Sequence, residues 1–150
     1  MTAAAIPAAK ARVAPFTAPV HRQLAALCYR KGAAGREVLL VTSSTGRWIL
    51  PKGWPITGLR PGQACLVEAW EEAGVRKGKV ARKPLGAFMG SKFSLSGDEE
   101  PCLTQVYAVK VEQTLDVYPE VDKRDRVWVS LAQAADMVHE DGLKAILTAF

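Results

Sequence analysis

GWPITGLRPGQACLVEAWEEAGV, residues Gly53 to Val75, is the stretch on which the reading of this chain turns. Its second half has the pattern of a short helix. Pro61 suits the first helical position, where its missing N–H costs nothing. Gly74 suits the left-handed residue that ends a helix. Between them Glu68, Glu71 and Glu72 fall at i, i+3 and i+4, sharing an arc of about 100°. Leu66, Ala69, Trp70 and Ala73 fall on the other side, so the spacing predicts a core face and an acidic face.

No lysine or arginine lies between Pro61 and Val75 to neutralise the three carboxylates. Like charges at i, i+4 cost a few tenths of a kcal/mol, so a helix needing only solubility would mix signs. Crowding of this kind suits a hard divalent cation, because Mg²⁺ takes carboxylate and phosphate oxygens. A solvated helix face is the competing explanation. The lead-in Pro51-Lys52-Gly53, a stiff turn with a basic side chain and a glycine, favours the cation.

The stretch resembles the Nudix box, G-x5-E-x7-R-E-U-x-E-E-x-G-U with U aliphatic. Gly53, Glu68, Ala69, Glu71, Glu72, Gly74 and Val75 match in register. Two positions depart: Leu59 stands at the first glutamate and Val67 at the arginine. The resemblance implies an α/β fold, a Nudix-type α/β/α sandwich with a mixed central sheet, over most of Gln23 to Phe150. The flanks resemble the branch related to diphosphoinositol polyphosphate phosphohydrolases. They are Arg47-Trp48-Ile49-Leu50-Pro51-Lys52-Gly53-Trp54-Pro55 and, later, Tyr118-Pro119-Glu120, Arg124, Arg126 and Trp128 ahead of Ser130-Leu131-Ala132.

Composition frames the domain. With 150 residues, 49% hydrophobic and 23% charged, the chain suits one globular domain. Cys28, Cys65 and Cys102 are scattered, with no CxxC, which reads as reduced core thiols in a cytoplasmic protein. No apolar run is long enough to span a membrane. The net charge of +5 comes from the N-terminal quarter, where Lys10, Arg12, Arg22, Arg30, Lys31 and Arg36 meet no acid.

Residues 1–19, rich in alanine and proline, read as a flexible arm, and 20–150 as a single Nudix domain. Strands are expected at His21–Tyr29 and Glu37–Thr42, with a turn over Arg30–Arg36 between them. A short extended piece follows at Arg47–Leu50. Gly86–Ser94 and Cys102–Val111 read as two strands joined by a tip holding Asp98, Glu99 and Glu100. Val127–Val129 reads as a last strand, Ser130 as an N-cap, and Leu131–Val138 and Glu140–Phe150 as helices. Trp48, Trp70 and Trp128 read as core.

The resemblance implies attack of water on a phosphorus of a small-molecule diphosphate. Glu68, Glu71 and Glu72 would hold Mg²⁺ or Mn²⁺, and Glu120 would be a further acidic ligand or base. Lys52, Gly53, Arg47, Arg30 and Trp54 would meet the substrate. In the family the box arginine orients the glutamates, so Val67 implies a slower enzyme, or a nucleotide- or polyphosphate-binding module with weak or no turnover. Arg60 or Arg124 is the candidate replacement. Nucleic-acid binding is disfavoured, because the basic quarter lacks interleaved aromatics beyond Phe16 and Tyr29. The sequence does not fix the oligomeric state.

Overall fold

The computed structural model describes residues 20–93 and 95–150; the arm expected at 1–19 lies outside them. Eight strands form one sheet: β1 His21–Gly32, β2 Gly35–Thr42, β3 Trp48–Ile49, β4 Lys52–Gly53, β5 Val75–Val80, β6 Gly86–Phe93, β7 Glu99–Thr114 and β8 Arg126–Ser130. The main path runs β3-β2-β1-β7-β5, with β4 on β1, β6 on β7 and β8 on β2. Among the described residues only the β1–β7 pair is parallel, from His21↔Cys102 to Tyr29↔Lys110, so the sheet is mixed. Helix α1, Pro61–Ala73, covers one face; α2, Leu131–Met137, and α3, Asp141–Ala149, cover the other.

β1 explains why its sequence is a continuous apolar run. Leu24, Ala26 and Cys28 pack with Ala64, Cys65, Ala69 and Ala73 of α1. Ala25 and Leu27 alternate into a second core with Ala134, Leu143 and Leu147. A strand buried on both faces shows no polar alternation. All three cysteines are free and buried. No helix among the described residues is long and apolar enough to cross a membrane.

Several boundaries differ from expectation. The Arg30–Arg36 turn is a tight hairpin, with strand pairing kept to Gly32↔Gly35. Glu99 and Glu100 belong to β7, opposite Phe93 and Lys92, and not to a hairpin tip. β5 was not expected, because its exposed Arg76, Lys77 and Lys79 read as a basic loop. It is an edge strand, where cations discourage further pairing, and register shifts beside Lys77 break its period. Trp48 and Trp128 pack against the two cores. Trp70 instead lines an open groove with Leu66 and Val67.

Candidate functional site

The acidic helix begins and ends as its residues dictate. Pro61 opens it, and Gly74 closes it at φ 72° with its N–H on the Trp70 carbonyl. A side chain at Gly74 would collide with Tyr118, Arg126 and the Leu115 carbonyl, so the left-handed turn and the crowding both require glycine. Arg126 Nη1 donates to the Ala73 and Leu115 carbonyls at 2.8 Å, while Nη2 donates to Asp116 at 2.9 Å. This guanidinium serves the unsatisfied carbonyl end of α1 and locks it to the chain leading into β8.

The acidic face is not uniformly solvated. Glu72 is only 5% exposed, whereas Glu68 and Glu71 are half-buried. Glu72 Oε1 accepts the Lys52 N–H at 3.2 Å. Burial, opposed by Arg124 and the Lys52 N–H, lifts the Glu72 carboxyl to about 7. Glu68 is raised by burial and then by the charge of Glu71. The expected core face is correspondingly shifted. Ala64, Cys65, Ala69 and Ala73 are buried, while Leu66 and Trp70 are not fully covered.

Arg124 brings a cation to the carboxylates Glu72 and Glu120. Its Nε donates to Glu120 Oε1 at 2.9 Å, its Nη2 lies 3.5 Å from Glu72 Oε2, and its Nη1 donates to the Thr42 carbonyl at 2.9 Å. The Glu120 N–H in turn donates to the Glu71 carbonyl at 3.0 Å, fastening this loop to α1. Thr42 and Asp125 exchange two further hydrogen bonds that hold the loop to the end of β2. Arg60 does not play this part, because it flanks the opposite end of α1 in a cleft with Gln63 and Arg82.

Gly53 shows why the loop carries a glycine. A methyl group there would overlap the Glu68 carboxylate. Since that carboxylate is the end of a flexible side chain, Gly53→Ala is expected to leave the melting temperature within about 2 °C. It should lower turnover at least tenfold by displacing Glu68, the size of loss seen when ligand orientation is disturbed. Unchanged turnover in steady-state assays would dissociate Glu68 from the chemistry.

The other expected residues divide. Glu68, Glu71, Glu72, Glu120, Lys52 and Gly53 come together. Trp54, 44% exposed, lies beside them against His21 and Lys92. Arg47 lines a separate cleft with Gly90, Glu99 and Glu140. Arg30 is occupied elsewhere: Glu37 holds its Nε at 2.8 Å, and its guanidinium lies 4.1 Å from the Trp128 ring centroid. Arg30 is thus apart from the carboxylates, and the sequence left Arg124 undecided; Arg124's register four residues after Glu120 was the available signal.

Among the described residues no group of three or more His, Cys, Asp or Glu side chains is placed, in its present side-chain positions, to hold a metal ion. The donor set still fits a hard cation. It is all carboxylate, its members repel one another, and Mg²⁺ is commonly held by one or two carboxylates plus substrate phosphates. Glu68, Glu71 and Glu72 are the residues that would hold it.

Comparison with known proteins agrees with this geometry. The NUDIX domain model matches residues 21–149. Nudix hydrolase 12, mitochondrial, of Arabidopsis thaliana is 33% identical over 118 residues, covering 76% of this chain and 58% of that protein. Human diphosphoinositol polyphosphate phosphohydrolase 3-beta is 35% identical over 117 residues, covering 75% and 66%. The chain thus spans about three-fifths of the length of the plant relatives it matches. Among solved structures, a C. elegans Ap4A hydrolase binary complex aligns at TM-score 0.63 and 20% identity, covering 85% of this chain and 93% of that one. The NUDIX domain of Shewanella oneidensis NrtR complexed with ADP ribose aligns at 0.64 and 21%, covering 87% and 86%. With the box carboxylates on α1, the mixed sheet between helix layers and a domain match across nearly all the described residues, this chain belongs to the Nudix family.

Proposed function

We propose that the protein is a divalent-cation-dependent hydrolase that cleaves a diphosphate bond by attack of water at phosphorus. The observation that carries this is the nearly buried Glu72, held between the Lys52 N–H and Arg124 beside two more box carboxylates. A fold has little reason to bury a carboxylate among its own kind for stability alone. Mg²⁺ or Mn²⁺ bound there supplies charge neutralisation for the diphosphate oxygens.

The chain's own residues then have distinct tasks. Glu68, Glu71 and Glu72 bind the cation. Gly53 keeps the loop surface low beside them, and Lys52 offers an ammonium to a phosphoryl oxygen. Glu120 takes a proton from the attacking water. Arg124 fixes Glu72 and Glu120 relative to each other. Positioning and charge neutralisation of this kind are the main sources of rate in phosphoryl chemistry.

The substrate class is a small-molecule diphosphate, nucleoside-linked or inositol-linked. The test is product release from a panel of dinucleoside polyphosphates, ADP-ribose, nucleoside triphosphates and a diphosphoinositol phosphate, with each cation. Glu71→Gln is the control. Turnover lost in the control supports the reading. No turnover, with cation-dependent binding of one compound, would replace it with a binding module.

Val67 bears on how fast the enzyme is. An arginine at 67 would lie one turn from Glu71. Val67→Arg is expected to raise turnover more in an Arg124→Met background than in the wild type, because the second cation matters most when the first is missing. Equal effects in both backgrounds would show that the two positions do not share a task.

A further inference from the structure

Far from the carboxylates, a cleft opens where the sheet changes neighbours. On one edge of β7, bonding to β5 runs out at Ala81, whose N–H donates to the Ala108 carbonyl at 2.9 Å. Bonding toward β6 resumes at Leu85, whose N–H donates to the Val106 carbonyl at 2.7 Å. Residues 82–84 between them belong to no strand, and Pro84 has no N–H to bridge the gap. The edge is therefore open beside Tyr107, in a cleft of about 460 Å³ bounded by the start of α1.

Its charge has one sign. Arg60 and Arg82 line it, and no Asp or Glu does. Among the described residues neither guanidinium has a carboxylate or carbonyl partner, unlike those of Arg30, Arg124 and Arg126. The helix end adds donors. No side chain caps it, and Ala64 is the first residue whose N–H reaches a carbonyl, that of Arg60 at 3.1 Å. The N–H groups of Gly62 and Gln63, both in the lining, are thus unpartnered among the described residues. A Cβ at Gly62 would sit 3.1 Å from Val80, so glycine holds this end close against β5.

Tyr107 sets the cleft apart from an ordinary basic helix start. It is 6% exposed and packs in the core beneath α1. Its hydroxyl has no hydrogen-bond partner among the described residues. No unpartnered side-chain nitrogen or oxygen among them is sealed from solvent, so the hydroxyl opens where the residue lines the cleft. A buried tyrosine normally finds a partner for its O–H, and phenylalanine would fill the same core without one.

We propose that this cleft is a second anion site, separate from the metal carboxylates, which takes a phosphate dianion, free or as the end of a small phosphomonoester. Guanidinium forks match phosphate oxygens. The first-turn N–H groups and the helix dipole favour the same charge. Tyr107 donates its proton to one oxygen and gains the partner it lacks. At 1.5 Å per residue Arg60 lies about 12 Å along α1 from Glu68, so one phosphate does not occupy both places. The site goes beyond the hydrolase reading and does not depend on it.

Calorimetry on the full chain tests it, in chelator and at constant ionic strength, with inorganic phosphate and separately with glycerol 3-phosphate. Chelator silences the cation-dependent site. Saturable binding is expected, with a dissociation constant of about 1 mM or tighter. Tyr107→Phe and Arg82→Gln should each weaken it about tenfold, the loss of one hydrogen bond to a charged group. Their melting temperatures should stay within about 3 °C of wild type. Glu71→Gln and Lys79→Gln lie outside the cleft and should bind as the wild type does. Amide NMR should show its largest shifts at Gly62 and Gln63. Tighter binding of inorganic phosphate assigns the site to the free ion. Tighter binding of the ester assigns it to a phosphomonoester whose remainder rests on Val80 and Ala81. No saturable binding, unchanged affinity in Tyr107→Phe, or an equal loss in Lys79→Gln overturns the proposal.

Discussion

Arg124→Met should lower kcat/KM about 100-fold while the protein remains folded. The substitution keeps most of the side chain's length and removes three polar contacts at once: Glu120 at 2.9 Å, Glu72 at 3.5 Å and the Thr42 carbonyl at 2.9 Å. Glu72 is already raised to about 7 mainly by burial, with Arg124 the largest opposing influence. Without that cation its pKa climbs further, so at neutral pH it holds a proton that a metal ligand must release. Loss of an orienting partner typically costs 10–100-fold in metal affinity or activity. Arg124→Lys should recover little, since an ammonium cannot span three acceptors as a planar fork does. Mn²⁺ affinity should fall with kcat/KM, and the acidic limb of the pH–rate profile should move upward. A kcat/KM within threefold of wild type, with unchanged Mn²⁺ affinity, would leave Arg124 a structural staple only.

The local features of the fold were legible because local chemistry decides them. Pro61 and Gly74 bounded α1, and Ser130 caps α2 by accepting the Gln133 N–H at 3.1 Å. The apolar runs of β1, β2 and β7 were long enough to read, and the box spacing set the carboxylates. What stayed hidden depends on tertiary placement. Glu68, Glu71 and Glu72 form one stripe in sequence, yet Glu72 alone turns toward Lys52 and Arg124 and is covered. β5 was masked by its cations. Arg30 and Arg124 look equivalent in a sequence, as arginines near a strand. Only the fold gives one to Glu37 and Trp128 and the other to the carboxylates.

Glu72→Gln should uncouple stability from function in opposite directions. Ionising Glu72 is costly in the folded chain because burial outweighs the help of Arg124 and the Lys52 N–H, so its pKa stands at about 7 against an ordinary 4.5. As pH rises above about 4.5, the unfolded chain releases this proton while the folded chain retains it. Stability from this group therefore falls between about pH 4.5 and 7, and the penalty is complete above that window. Glutamine retains an acceptor for the Lys52 N–H and carries no charge. In chelator, at pH 8, the variant should be more stable than wild type by about 1–3 kcal/mol, and the difference should vanish near pH 4. Turnover should meanwhile fall about 100-fold or more, as when a charge-stabilising group is removed from a reacting centre. Added Mg²⁺ should raise the wild-type melting temperature, because a ligand bound only by the folded state stabilises it, and should act more weakly on the variant. Denaturant titrations at the two pH values, with and without the cation, test this directly. A variant less stable than wild type at pH 8 in chelator would mean that the Arg124 ion pair outweighs burial. The crowded carboxylates would then be part of the fold's own support and not a cost maintained for a cation.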